Sequence, residues 1–140
     1  MWRIKSLVMQ LTRKYKTFCP YRLAEYLKIE IYFLPLGRVF GFFHVHRRIP
    51  SIFVNSDLDS HHFRRFVCAH ELGHAVLHRG LNTPFMSAHT LFSVDKIEQE
   101  ANKFAVELLL PDHIAREYCT LFDAAKAHGI PAEVILLKRY

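Results

Sequence analysis

The period of the apolar positions changes along the chain, and those changes divide it into elements. Ile4, Leu7, Val8, Leu11 and Tyr15 recur every three or four residues, placing one side of a helix over residues 3–16. Pro20 suits the first turn of a second helix, 20–27. Three β-rich runs follow at 30–34, 40–46 and 51–55, with Pro35 and Gly37 in the first turn and Pro50 breaking before the third run. Over 63–79 the pattern turns helical and largely apolar, through Phe63, Phe66, Val67, Ala69, Leu72, Gly73, Val76 and Leu77, so this helix is expected to be buried. A second long helix is expected over 95–110, capped by Asp95 and ended by Pro111-Asp112. A loop over 80–94 joins the two, and short helices near 112–118, 121–128 and 131–139 finish the chain. The expected fold class is α+β, with helices packed on a small, antiparallel three-stranded sheet.

The buried helix contains His70-Glu71-Leu72-Gly73-His74. Residues four apart on a helix lie one above the other, so His70 and His74 can turn ring nitrogens toward one metal ion. Glu71, one position round, can reach a metal-associated water without ligating. Two nitrogen ligands and a carboxylate base are the parts of a zinc hydrolase. With 10 His in 140 residues, chance alone would place H-E-x-x-H in roughly one such chain in twenty-five, so the surroundings decide. Buried imidazoles need partners, and a metal supplies one for each ring. Gly73 costs a helix about 1 kcal/mol relative to Ala, which a backbone or ligand passing close by would explain.

Two histidines do not hold zinc, and the second long helix is the expected source of a third ligand. Its apolar stripe is Ile97, Ala101, Phe104, Ala105 and Leu108. Glu98 flanks that stripe on one side and Glu100 and Glu107 on the other, and periodicity does not choose among them.

A family resemblance does choose. The run from Arg64 through Cys68-Ala69-His70-Glu71-Leu72-Gly73-His74 to His78 resembles the signature helix of the ImmA/IrrE metallo-endopeptidases. Glu98-Gln99-Glu100-Ala101-Asn102-Lys103-Phe104-Ala105, followed by Leu108-Leu109-Leu110-Pro111, is similar to that family's second motif, and Ile52-Phe53-Val54-Asn55 to its strand ending in Asn. The match in order and spacing runs from about Tyr21 to Pro111. The resemblance implies a zincin-like, gluzincin-like minimal protease with His70, His74 and Glu100 as metal ligands and Glu71 as catalytic base. It leaves Glu98 and Glu107 at the surface or beside the ligands. It further implies cleavage of a helix-turn-helix (Xre-type) repressor of a phage or mobile element. His78 lies on the face of His74 but at the wrong offset for a metzincin third ligand, so it is read as supporting the site rather than ligating. Zinc is the expected metal, although manganese or iron suit the same donors. A third strand at the sheet edge would offer its free backbone groups to an extended substrate peptide. His89, His113, Tyr118 and His128 are the candidates for an oxyanion donor.

Length and composition suit one domain over 1–140, with N-terminal helices in 1–28, sheet and metal helices in 29–110 and C-terminal helices in 111–140. No apolar run reaches membrane-spanning length, and no signal peptide is read. Cys19, Cys68 and Cys119 are odd in number and widely spaced, as expected of reduced thiols in the cytoplasm. Cys68 reads as a small core residue. The net charge of +6 resides in 1–24, where Arg3, Lys5, Arg13, Lys14, Lys16 and Arg22 face no acidic residue. This excess is read as the solvated face of the first helix rather than a nucleic-acid surface. Two rival functions remain: a non-proteolytic metal-binding partner of a repressor, and a nucleic-acid-binding module using the basic N-terminus.

Overall fold

A computed structural model describes residues 2–81, 83–91 and 93–138 and builds them around one helix, α3 (His61–Leu77). Ser60 starts α3 by accepting a hydrogen bond from the Phe63 N–H at 3.1 Å, two residues before the periodicity alone would begin it. The helix stops at Leu77 with His78 as its C-cap. The ten residues Phe66–Ala75 are all buried, so the helix has no solvent face over its middle. It lies between the sheet and α5 (Lys96–Leu109). Asp95 holds the N-cap position of α5 as expected, but its side chain makes no capping bond.

Gly73 has a clear packing reason. A Cβ there would lie 3.0 Å from the Phe104 Cβ and 3.2 Å from the Ala101 Cα and O, so the α3 and α5 backbones meet at this point. Their closeness sets the distance across which side chains of the two helices meet. The N-terminal helices α1 (Trp2–Tyr15) and α2 (Pro20–Tyr26) cover α5 and α3 respectively. The loop before α5 carries a single helical turn, α4 (Ala88–Leu91), which has no periodic signal to announce it. The C-terminal region forms α6 (Asp112–Ala115), α7 (Leu121–Ala127) and α8 (Ala132–Ile135). The last expected helix extends to Arg139, which lies outside the described residues. No described helix is long and apolar enough to cross a membrane.

The sheet contains β1 (Glu30–Leu34), β2 (Gly41–His46) and β3 (Ile49–Asn55) in the order β1-β3-β2. It is mixed rather than antiparallel: β2 and β3 form an antiparallel hairpin, but β1 runs parallel to β3 from Glu30↔Ser51 to Leu34↔Asn55. Strand direction depends on how the chain crosses between strands, which local alternation does not encode. Pro50 does not break β3. The hairpin turns at Arg47 and Arg48, both at positive φ, and β3 passes through Pro50 before its first pair with β1 at Ser51, so the missing N–H removes no bond to β1. β3 is therefore the central strand, so the condition under which it would offer free backbone groups to a substrate peptide is not met. The edges belong to β1 and β2, and Met86 bridges β2 at Gly41, its N–H donating to the Gly41 carbonyl at 2.8 Å. At the end of β3, buried Asn55 accepts from the Leu36 and Asp57 N–H groups and donates to the Gly37 and Val39 carbonyls, tying down the turn after β1.

The basic N-terminus is less solvated than its composition suggests. Lys5 is buried and meets Asp112 at 3.0 Å, and Arg3 reaches Glu100 at 3.3 Å. Arg13, Lys14 and Lys16 are exposed. Lys138 extends the buried charge cluster, 2.6 Å from Glu107 and 2.5 Å from Asp112, and Lys103 pairs with Glu107 one helical turn away. Glu107 is thus buried among lysines rather than exposed beside a core face.

Candidate metal centre

Helical spacing stacks the first two candidate ligands. His70 and His74 sit one turn apart on α3, buried, with ring centroids 4.8 Å apart. Their Nε2 atoms point at one oxygen: Glu98 Oε1 lies 3.1 Å from His70 Nε2 and 3.2 Å from His74 Nε2. Among the described residues, these three form the one group of His, Cys, Asp or Glu donors close enough to hold a metal, with ligand atoms within 4.8 Å of one another.

The structure thus brings Glu98 to the two rings, where the family resemblance pointed to Glu100. Helix geometry gives the reason. Positions 98 and 100 differ by roughly 200° around α5, so only one of them faces α3 at this level. Glu100 turns the other way, its Oε1 2.9 Å from His78 Nε2 and its Oε2 3.3 Å from Arg3. Glu107 is two turns further along and belongs to the lysine cluster. One turn after Glu98, on the same face, Asn102 places its Oδ1 2.7 Å from His70 Nδ1. The i, i+4 pair Glu98 and Asn102 was available in the sequence as the signal for this face, and Asn102 is a site residue that sequence reasoning left without a role.

The protons on these rings show whether a metal fits. Asn102 Oδ1 accepts, so His70 Nδ1 carries a hydrogen, and in the neutral ring His70 Nε2 then holds a bare lone pair. That lone pair faces a carboxylate oxygen at 3.1 Å, an approach of two acceptors that a metal ion or a second ring proton would satisfy. Glu98 Oε2 is also buried without a partner. Burial alone would raise the Glu98 pKa, but when the facing ring nitrogens carry hydrogens in place of a metal, the hydrogen bonds and charge of His70 and His74 outweigh it and hold the carboxyl down to about 2. An ionised carboxylate facing two ring nitrogens is a donor set that could hold a metal ion.

Glu71 is fully buried beside this cluster, with its Oε2 4.0 Å from His70 Nε2 and no hydrogen-bond partner for either oxygen. Burial pushes its pKa up to about 8, and neighbouring Glu98 adds to the rise while His74 opposes it. An orphaned carboxylate in a core is costly unless a ligand, such as a water carrying a proton, meets it there. Gly41 of β2 lets the strand approach: a Cβ would lie 2.6 Å from Val67 Cγ1, 2.7 Å from the Phe53 carbonyl and 3.8 Å from Glu71 Cγ.

His78 meets His74 Nδ1 through its own Nδ1 at 3.0 Å and stands outside the ligand group, as expected of a supporting residue. Cys68 is a buried core thiol. Of the oxyanion candidates, Tyr118 bonds His128 at 3.3 Å and His113 lies against Phe18; neither contact involves the His70, His74 and Glu98 cluster. His89 stands on α4, exposed.

The IrrE N-terminal-like domain of the M78 peptidases matches residues 24–138. The chain is 50% identical over 142 aligned residues to "Uncharacterized immunity region protein 2" of Bacillus phage phi105, covering 96% of this chain and 88% of that protein. It is 32% identical over 114 residues to "Metallopeptidase ImmA" of Bacillus subtilis (strain 168), covering 81% of this chain and 67% of that one. A domain match over most of its length and a metallopeptidase relative at this identity establish that the chain belongs to the ImmA/IrrE family of peptidases.

Proposed function

We propose that the protein is a zinc-dependent endopeptidase whose metal is held by His70, His74 and Glu98 and whose catalytic base is Glu71. The observation that carries this reading is the convergence of two ring nitrogens on Glu98 Oε1 beside a buried carboxylate with no partner. A zinc ion bound there would supply a water of lowered pKa and polarise the scissile carbonyl. Glu71 takes the proton of the attacking water and returns it to the leaving amide nitrogen. Its dry surroundings suit both steps, because a carboxylate whose pKa has moved toward neutrality accepts and releases a proton near pH 7. Asn102 keeps His70 in the tautomer that ligates through Nε2.

The substrate in this reading is a helix-turn-helix repressor of a phage or mobile element, cleaved to relieve repression in the cytoplasm. Relatives include a phage immunity-region protein and a metallopeptidase, which supports a protein substrate in that setting. The rival, a metal-binding partner that grips a repressor without cutting it, would not require a buried unpartnered Glu71.

Three variants test the reading. Metal content by elemental mass spectrometry should be about one zinc per chain in the wild type, largely lost in Glu98→Ala and retained in Glu71→Gln and, with excess zinc, in Glu100→Ala. Incubation with a helix-turn-helix repressor from the same phage or mobile element should yield fragments with the wild type, at least ~10²-fold more slowly with Glu71→Gln, and none with Glu98→Ala once its zinc is lost. Full derepression by Glu71→Gln would refute proteolysis, and zinc lost from Glu100→Ala but kept by Glu98→Ala would return the third ligand to Glu100.

A further inference from the structure

We infer that His78 and Glu100 form a positioning relay that holds the His74 ring in its metal-ligating tautomer; the inference rests on the zinc-site reading above. The proton bookkeeping starts at the far end. Glu100 Oε1 is a carboxylate oxygen and only accepts, so His78 Nε2, 2.9 Å away, carries a hydrogen and donates it. A neutral imidazole has one N–H, which leaves His78 Nδ1 as an acceptor. His74 Nδ1 lies 3.0 Å from it and must therefore be the donor. With its hydrogen on Nδ1, His74 turns a bare Nε2 toward Glu98 Oε1. The opposite arrangement, with His78 donating to His74, would set a bare His78 Nε2 against the Glu100 carboxylate. Glu100 thus determines, through two rings, which nitrogen of His74 is free to bind a cation.

The two halves of the centre are built alike from different parts. Asn102 orients His70 directly, and Glu100 orients His74 through His78. Every member of the second path is buried up to Glu100: His78 is 6% exposed and Glu100 9%. Little water competes for these hydrogen bonds. Arg3 closes the path at Glu100 Oε2, but its side chain is 76% exposed, so the relay ends in substance at Glu100. The arrangement also gives a role to the second glutamate of Glu98-Gln99-Glu100, which faces away from the metal.

The test is zinc affinity by chelator competition, read alongside ring 1H–15N spectra of the zinc-loaded protein. The wild type should show a slowly exchanging His74 Nδ1–H. His78→Leu should lose that signal and bind zinc roughly 10–100-fold more weakly. His78→Gln, whose amide can accept from His74 and donate to Glu100, should recover most of the affinity. Glu100→Gln, whose amide no longer dictates the direction of donation, should fall between, and Arg3→Ala should stay within about twofold of wild type. Equal affinity of His78→Leu and wild type would overturn the relay, as would equal weakening in His78→Leu and His78→Gln, which would mark a packing effect. Absence of zinc from the wild type itself would remove the zinc-site reading, and the relay with it.

Discussion

Glu71 should destabilise the metal-free fold it serves. Its folded-state pKa of about 8 lies well above the ordinary 4.5, because the carboxyl is buried with no partner for either oxygen. Below pH 4.5 the carboxyl is protonated in both the folded and the unfolded chain and contributes no difference. Between 4.5 and 8 the unfolded chain has released its proton and the folded chain still holds it, so stability falls as pH rises through this window. At pH 7 the gap spans 7 minus 4.5, or 2.5 pH units, which corresponds to about 3 kcal/mol at 1.36 kcal/mol per unit. Glu71→Gln is neutral at every pH and similar in shape. With chelator present throughout, it should be more stable than wild type by about 3 kcal/mol at pH 7, or about 10 °C in Tm for a chain of this size. At pH 4.5 the two should agree within about 0.5 kcal/mol. Urea titrations at the two pH values measure both differences. An unchanged gap between them, or a less stable Glu71→Gln at pH 7, would refute the view that this carboxyl is held dry and uncompensated. Confirmation would mean that the residue proposed as catalytic base is the one the apo fold tolerates least.

Other consequences follow from the packing. Gly73→Ala gains helix propensity of about 1 kcal/mol but pushes α3 from α5 where a Cβ meets Phe104 and Ala101 at 3.0–3.2 Å; net destabilisation of about 1–3 kcal/mol, with weaker zinc binding, is expected in urea titration and chelator competition, and a more stable variant would contradict the close approach. Glu107→Ala removes the carboxylate that Lys103 and Lys138 share, leaving Lys138 to Asp112 and Lys103 to the Leu137 carbonyl, and should cost about 1–3 kcal/mol in urea unfolding. Burial raises the Asp112 pKa, but Lys138 and Lys5 outweigh it and hold the carboxyl below 3.8. Its stabilising contribution is therefore present above pH 3.8 and lost as pH falls through the folded value, so Asp112→Asn should flatten the acid limb of a stability-against-pH curve in chelated protein.

What was legible in the sequence was local. H-E-x-x-H stacks two rings because residues four apart share a helix face, whatever the rest of the chain does. Pro20 and Pro111 bound their helices through backbone chemistry at single positions, and Gly73 announced a close contact without naming the partner. The unexpected features depend on residues distant in sequence. Glu98 and Glu100 flank the same apolar stripe, and both turned out buried, because each meets distant side chains that exclude solvent, Glu98 those of His70 and His74 and Glu100 those of His78 and Arg3. Which one reaches the histidines is decided by the rotation of α5 about its own axis, fixed by the Gly73 contact with Ala101 and Phe104. The parallel pairing of β1 with β3, the central place of β3 and the burial of Lys5 against Asp112 are likewise decided by the tertiary structure, since each joins segments whose local patterns are compatible with more than one partner.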